Sequence, residues 1–299
     1  MNGRPSEEAV AFECRGSTLI GVLHHSSTPS DIAVVVVVGG PQYRVGSHRQ
    51  FVELGRALAK AGVPVFRFDV RGMGDSQGEP QGFEHQRDDI DAAINALQQR
   101  AGVTHVVLWG LCDGASSALL YLHDTADARV VGLCLVNPWV RSEESLARTQ
   151  VKHYYGQRLL QASFWAKLIR GKVGLGAVRS LLQSIARFRR STSSTQALRF
   201  QQRMALAWER FPGPTLLLLS GDDYTAKEFI EHAVTAPMMA SALKRPTIHR
   251  IDMPDADHTF SGPGMNARLC EESERWLLPL HEAYASALSE RLLTDAWER

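Results

Sequence analysis

The chain has 299 residues, with 33 Lys and Arg against 32 Asp and Glu, a formal net charge of +1, and 44% hydrophobic residues. That composition is ordinary for a globular chain long enough to bury a sizeable core. The near-zero charge argues against a nucleic-acid binder or a sponge for acidic ligands, and the longest apolar run, Ile32 to Val38, is far too short to span a bilayer.

The N-terminal part reads as strands. Ala9 to Cys14 alternates apolar and polar residues, and Thr18 to Leu23 follows a Gly-Ser turn. Ile32 to Val38 (IAVVVVV) is β-branched and apolar on both faces, which predicts a buried central strand ended by Gly39-Gly40-Pro41. Apolar residues at helical spacing (Phe51, Leu54, Leu58) predict a helix over 48–61, and VPVFRFDV (63–70) is the next strand. The rhythm repeats with a helix over 84–99, a strand over 104–109, a helix over 115–123 and a strand over 130–136. Such alternation predicts a mostly parallel sheet with helices on both faces and right-handed crossovers.

The rhythm breaks after Asn137-Pro138. Helical patches without a convincing strand run from Arg141 to Arg210, and strands resume at 215–220 and 247–253 before a helix over 265–280. The predicted organisation is an α/β core of residues 1–140 and 211–299 carrying an inserted helical cap over 141–210, an insertion of roughly 70 residues and too long for a plain loop. The insertion holds fourteen Lys and Arg against three Asp and Glu, leaving nineteen and twenty-nine in the rest. A basic cap with Tyr154, Tyr155, Phe164 and Trp165 suits an apolar acyl site, an acidic or phosphorylated carrier, or an anionic membrane surface. A solvated helical face against an acidic body is the plainer alternative.

The strand THVVLW runs straight into Gly110-Leu111-Cys112-Asp113-Gly114 and then a helix. This is the G-x-S-x-G nucleophile elbow with cysteine in the serine position. A side chain at Gly110 or Gly114 would strike a neighbouring element, and the helix amino terminus favours thiolate at Cys112. Cys14, Cys134 and Cys270 read as small buried residues, with no zinc spacing and no CxxC pair. In the chain order nucleophile, acid, base, His258 in DADHTF is the base. The acid follows strand TLLLLS: Asp223 is preferred, Asp222 is better placed to cap the turn, and Asp257 is a third candidate. Two N–H donors are expected for an oxyanion, one from Asp113 and one from Gln42, with Gly40 in reserve and Pro41 excluded because it has no N–H. Tyr43, Arg44 and Arg49, with His48, crowd the same loop and are candidate substrate contacts. Asp69 to Ser76 (DVRGMGDS) reads as scaffold around a tight turn.

Taken together, the elbow, the GGPQYR loop, the DVRGMGDS turn and the DADHTF ending resemble the α/β-hydrolase superfamily over nearly the whole chain. GLCDGASS, NPWVR and SGDDYTAKEF look more narrowly similar to the exosortase A system-associated hydrolases, bacterial proteins with cysteine in the elbow, encoded with exopolysaccharide and protein-sorting genes. The resemblance implies a hydrolase or acyl-transfer role beside exopolysaccharide production. Gly-x-Cys is also similar to dienelactone hydrolases, from whose compact form the long insertion departs.

The expectation is therefore an α/β-hydrolase with Cys112, His258 and Asp223 as catalytic residues, cleaving a small-molecule ester or thioester without metal or organic cofactor. An acyltransferase and a non-catalytic binding module are the alternatives. Scattered cysteines and a polar start without an apolar leader predict a cytoplasmic location.

Overall fold

The computed structural model describes residues 6–40, 42–141 and 198–297, with side chains as far as residue 285. Strands β1 (Glu7–Cys14) and β2 (Ser17–His24) form an antiparallel hairpin. Arg15 and Gly16 turn it, both at positive φ (53° and 81°), as a two-residue connection with the sheet's own twist requires. The remaining strands are β3 (Ile32–Val37), β4 (Val65–Phe68), β5 (His105–Leu111), β6 (Val130–Val136), β7 (Thr215–Asp222) and β8 (Ile248–Asp257). They form one eight-stranded sheet in the order β1-β2-β4-β3-β5-β6-β7-β8. β2 pairs antiparallel with β4, and everything from β4 to β8 is parallel.

β3 is buried at every position because it lies between β4 and β5 with helices on both faces. Ala33, Val35 and Val37 face one apolar core, while Ile32, Val34 and Val36 face the other. Each fully buried valine or isoleucine contributes about 1.5–3 kcal/mol, so the valine run is what fixes this strand at the centre. Helix α1 (Gln50–Lys60) covers the second face through Phe51, Leu54 and Leu58. Helices α2 (Arg87–Ala101) and α3 (Asp113–Thr125) cover the first, through Ile90, Ile94 and Leu97 and through Ala115, Ala118 and Leu119.

The chain divides into two compact units, residues 1–140 with 200–299 and residues 141–199. The insertion boundary expected at 210 therefore falls at 199. Helix α4 (Phe200–Arg210) belongs to the core: Met204 and Trp208 are fully buried in the cluster that holds α3, and Arg203 pairs with Asp124 and Glu84. The expected cap falls almost wholly on residues 142–197, outside the described residues.

Two helices were not expected, α5 (Tyr224–Thr235) and α6 (Pro237–Leu243). The last helix, α7 (Met265–Trp297), runs well beyond the expected end near 280. Pro279 does not stop it, because Pro279 is exposed and water can take the carbonyl that it leaves unbonded. Among the described residues no helix is long and apolar enough to cross a membrane.

After β3 the chain turns to β4 on one side, and it returns to β5 on the other. Such a reversal leaves a crevice at the carboxyl ends of the parallel strands, where loops can converge without crossing. The loops after β3, β5, β7 and β8 all end there.

Candidate active site

Strand β5 and helix α3 meet at Cys112 with no residue between the turn and the helix. Cys112 takes φ 60° and ψ −125°, a conformation that costs a non-glycine residue about 1–3 kcal/mol. The surroundings hold it there. Its N–H donates to the Val136 carbonyl at 2.9 Å, and its carbonyl accepts from Trp139 at 3.2 Å and Ser116 at 3.3 Å. A Cβ on Gly110 would meet the Ala115 nitrogen at 2.5 Å, and one on Gly114 would overlap the Val37 carbonyl oxygen. Both glycines are thus demanded by close backbone approach.

Cys112 is the one partly exposed cysteine; Cys14, Cys134 and Cys270 are buried. Burial and a hydrogen bond to Asp89 push the Cys14 thiol up to about 12, and burial with nearby glutamates pushes Cys270 up to about 12. Burial also raises Cys134. Those three are held as thiols, the unreactive form.

The structure brings His258 and Asp223 to the same crevice. His258 follows β8, and its Nδ1 lies 2.8 Å from Asp223 Oδ2. Asp223 closes β7 and caps α5, accepting from the Thr225 N–H at 2.9 Å and the Ala226 N–H at 3.3 Å. Capping and histidine contact thus fall to one carboxylate; Asp222 is exposed at the strand end. Asp257 accepts from the Ser261 N–H and hydroxyl instead, closing the turn after β8.

Burial alone would raise the Asp223 carboxyl, but the hydrogen bonds from His258, Thr225 and Ala226 outweigh it and hold it below its ordinary 3.8. Hydrogen bonds to Asp223 and then to the Cys112 sulfur push His258 up to about 10, against the opposing effect of burial. The ring thus holds the carboxylate on one side and lies near the sulfur, the order of groups that general-base activation of a nucleophile needs.

Of the two candidates for the second oxyanion donor, Gln42 is engaged elsewhere. The Gln42 N–H donates to the Gly39 carbonyl at 3.3 Å, and its side-chain amide reaches Ser47, so Gln42 is spent on closing its own turn. Gly40 instead lies against the Asp113 carboxylate, at the start of helix α3. Gly40 sits at φ 56°, which glycine adopts without strain.

Arg44 is also not free for substrate. Its guanidinium pairs with buried Asp69 and with Asp75, and its N–H donates to Asp69 Oδ1 at 2.7 Å. Arg67, 3% exposed, donates to the Arg44 carbonyl at 2.6 Å. The DVRGMGDS turn is thus a clamp on the loop that carries Gly40. Tyr43 and Arg49 are exposed on that loop. His48 Nε2 lies 2.7 Å from the Thr259 carbonyl, next to His258.

Asn137 was missed as a site residue. It is fully buried at φ 45°, donates to Ser220 Oγ at 2.9 Å and accepts from the Ser220 N–H at 2.8 Å. It therefore ties the strand end beside the elbow to the strand that delivers Asp223. The sequence signal was an asparagine placed directly after a buried strand and before proline. A separate cavity of about 510 Å³, lined by Leu122, Val130, Phe211 and Pro214, lies at the opposite ends of the strands and touches none of these groups.

Solved structures share this architecture. The Pyrococcus furiosus esterase Pf2001 is 16% identical, with a TM-score of 0.59 over 91% of this chain and 92% of its own. Est1E of Butyrivibrio proteoclasticus, described with ferulic acid bound, is 14% identical, with a TM-score of 0.59 over 92% of this chain and 100% of its own. The dienelactone hydrolase of Anabaena variabilis is 14% identical, with a TM-score of 0.57 over 92% and 98%. At such identities the likeness is one of fold. Human Protein ABHD12B is 33% identical over 115 residues, which span 36% of this chain and 31% of that relative. The sequence pattern described as "Alpha/beta hydrolase family" matches residues 34–271, so the chain belongs to the alpha/beta hydrolase family.

Proposed function

We propose that this hydrolase cleaves an ester or thioester through an acyl-Cys112 intermediate. The observation that carries the reading is the 2.8 Å contact of His258 with Asp223, with His258 beside the Cys112 sulfur, all three from the carboxyl ends of β5, β8 and β7. Cys112 Sγ attacks the acyl carbonyl carbon, and the carbonyl π pair moves onto oxygen. The pair returns as the bond to the leaving alcohol or thiol breaks, and His258 gives that group the proton taken from the thiol. Water, losing a proton to His258, then attacks the thioester and frees the acid and the thiol. Asp223 holds the ring with Nδ1 protonated and stabilises its charged form. The Asp113 and Gly40 N–H groups are the oxyanion donors in this reading.

Sulfur suits activated acyl groups. A thiolate is a good nucleophile at neutral pH but also leaves readily from the tetrahedral adduct, which disfavours amide cleavage. The basic composition of the inserted segment fits an acidic acyl carrier. The similarity of GLCDGASS, NPWVR and SGDDYTAKEF to exosortase A system-associated hydrolases supports a role beside exopolysaccharide production and protein sorting. The test is turnover of p-nitrophenyl acetate and an acyl-CoA panel, each with and without a sugar or amine acceptor. Turnover without acceptor, abolished in Cys112→Ala, supports hydrolysis; turnover only with acceptor makes the protein an acyltransferase. No turnover in either arm contradicts both.

A further inference from the structure

Asp113 is more than the residue after the nucleophile. Its backbone N–H is one oxyanion donor in the proposed reaction, yet its own side chain folds back over the donors. The carboxylate lies against the backbone of Gly39 and Gly40, close enough to the N–H groups of Gly40 and Gly114 to feel their dipoles. Its Oδ2 stands 3.3 Å, and its Oδ1 3.5 Å, from where a Cβ on Gly40 would be; a Cβ on Gly39 would overlap Oδ1 outright. So the glycine pair after β3 leaves room for a carboxylate, and the carboxylate fills it. An acid in the first helical turn would gain the dipole's stabilisation while pointing to solvent. Asp113 instead turns inward, where burial raises its carboxyl above the usual range despite nearby backbone N–H groups and His258.

We propose that the Asp113 carboxylate is an internal occupant of the oxyanion hole, which an acyl substrate's carbonyl oxygen must displace before Cys112 can be acylated. The inference rests on the acyl-Cys112 reading. Displacement is a side-chain rotation; no bond forms or breaks until the sulfur attacks. An acyl donor bound well enough to turn the carboxylate out opens the donors to its own oxygen, while water and weakly held esters leave the hole closed. The device makes acylation answer to substrate binding, as an induced fit does.

Two rates at Cys112 separate this gate from a change in thiol reactivity. Acylation by p-nitrophenyl acetate develops an oxyanion; alkylation by iodoacetamide does not. Their ratio is measured for the wild type, Asp113→Asn, Asp113→Ala and Asp113→Ser. Asn keeps an acceptor oxygen in the hole without the charge, Ala removes the occupant, and Ser keeps a helix-capping oxygen too short to reach Gly40. The expected result is a ratio raised at least tenfold in Ala and in Ser, with Asn between them and the wild type. A ratio in Ala and Ser equal to or below the wild type overturns the gate and leaves Asp113 as a helix cap. Should iodoacetamide label Cys112 in all four proteins while none acquires an acetyl group, the acyl-Cys112 reading itself fails, and the gate with it.

Discussion

Asp223 and His258 lie 35 residues apart in the chain and meet at 2.8 Å, through a carboxylate that also caps helix α5. The cap orients the carboxylate toward the histidine, because the Thr225 and Ala226 N–H groups fix it to the helix start. That double duty is why this side chain stays ionised although it is only 6% exposed.

The charge state of His258 follows from this contact. With Asp223→Asn the main support of its elevation is lost, so its pKa falls from about 10 toward the ordinary 6.5. Titration of the imidazole signals by NMR measures it. An unchanged value would mean that Asp223 does not govern the ring.

Stability should carry the same signature. A histidine whose pKa is raised on folding adds stability that is fully present below 6.5 and is lost as pH rises through about 10. Asp223, lowered on folding, adds stability above 3.8 that is lost as pH falls through its folded value. The Tm gap between wild type and Asp223→Asn is therefore widest just below 6.5 and narrows as pH climbs toward 10. A gap that widens with rising pH contradicts the account.

Asn137→Ala removes both hydrogen bonds to Ser220 and leaves buried polar groups unsatisfied. The expected cost is about 1–3 kcal/mol in urea unfolding. Because Asn137 positions the Asp223 strand without touching substrate, kcat should fall more than KM changes. A raised KM with unaltered kcat would point to a substrate contact instead.

Asp69→Ala strips Arg44 of its buried partner and loosens the loop that carries Gly40. Breaking a buried pair from one side costs about 3–5 kcal/mol, with Asp75 offsetting part of it. Arg44→Ala should likewise lower Tm, whereas a pure substrate contact would raise KM at constant Tm.

Much of the site was legible because its demands are local. Gly110 and Gly114 flank Cys112 since backbone approaches on both sides exclude a Cβ, and such spacing is written into five consecutive residues. The valine run of β3 and the convergence of Cys112, Asp223 and His258 were equally readable. What escaped depends on long-range geometry. Gln42 and Gly40 could not be told apart from the sequence, because the partner that takes the Gln42 N–H, the Gly39 carbonyl, is set by how the turn closes. Arg44 looked free until Asp69, 25 residues on, was seen to hold it. Helix α4 shows the same amphipathic period whether it packs on an insertion or on α3, so its apolar pattern could not set the boundary at 199.

The central claim is covalent, and intact-mass spectrometry reads it directly. The protein is mixed with p-nitrophenyl acetate or an acyl-CoA, quenched in acid at early times, and compared with Cys112→Ala. One added acyl group, mapped to Cys112 and missing from the variant, is the predicted result. Acyl donors consumed with no adduct on Cys112, or an identical adduct on Cys112→Ala, would contradict it.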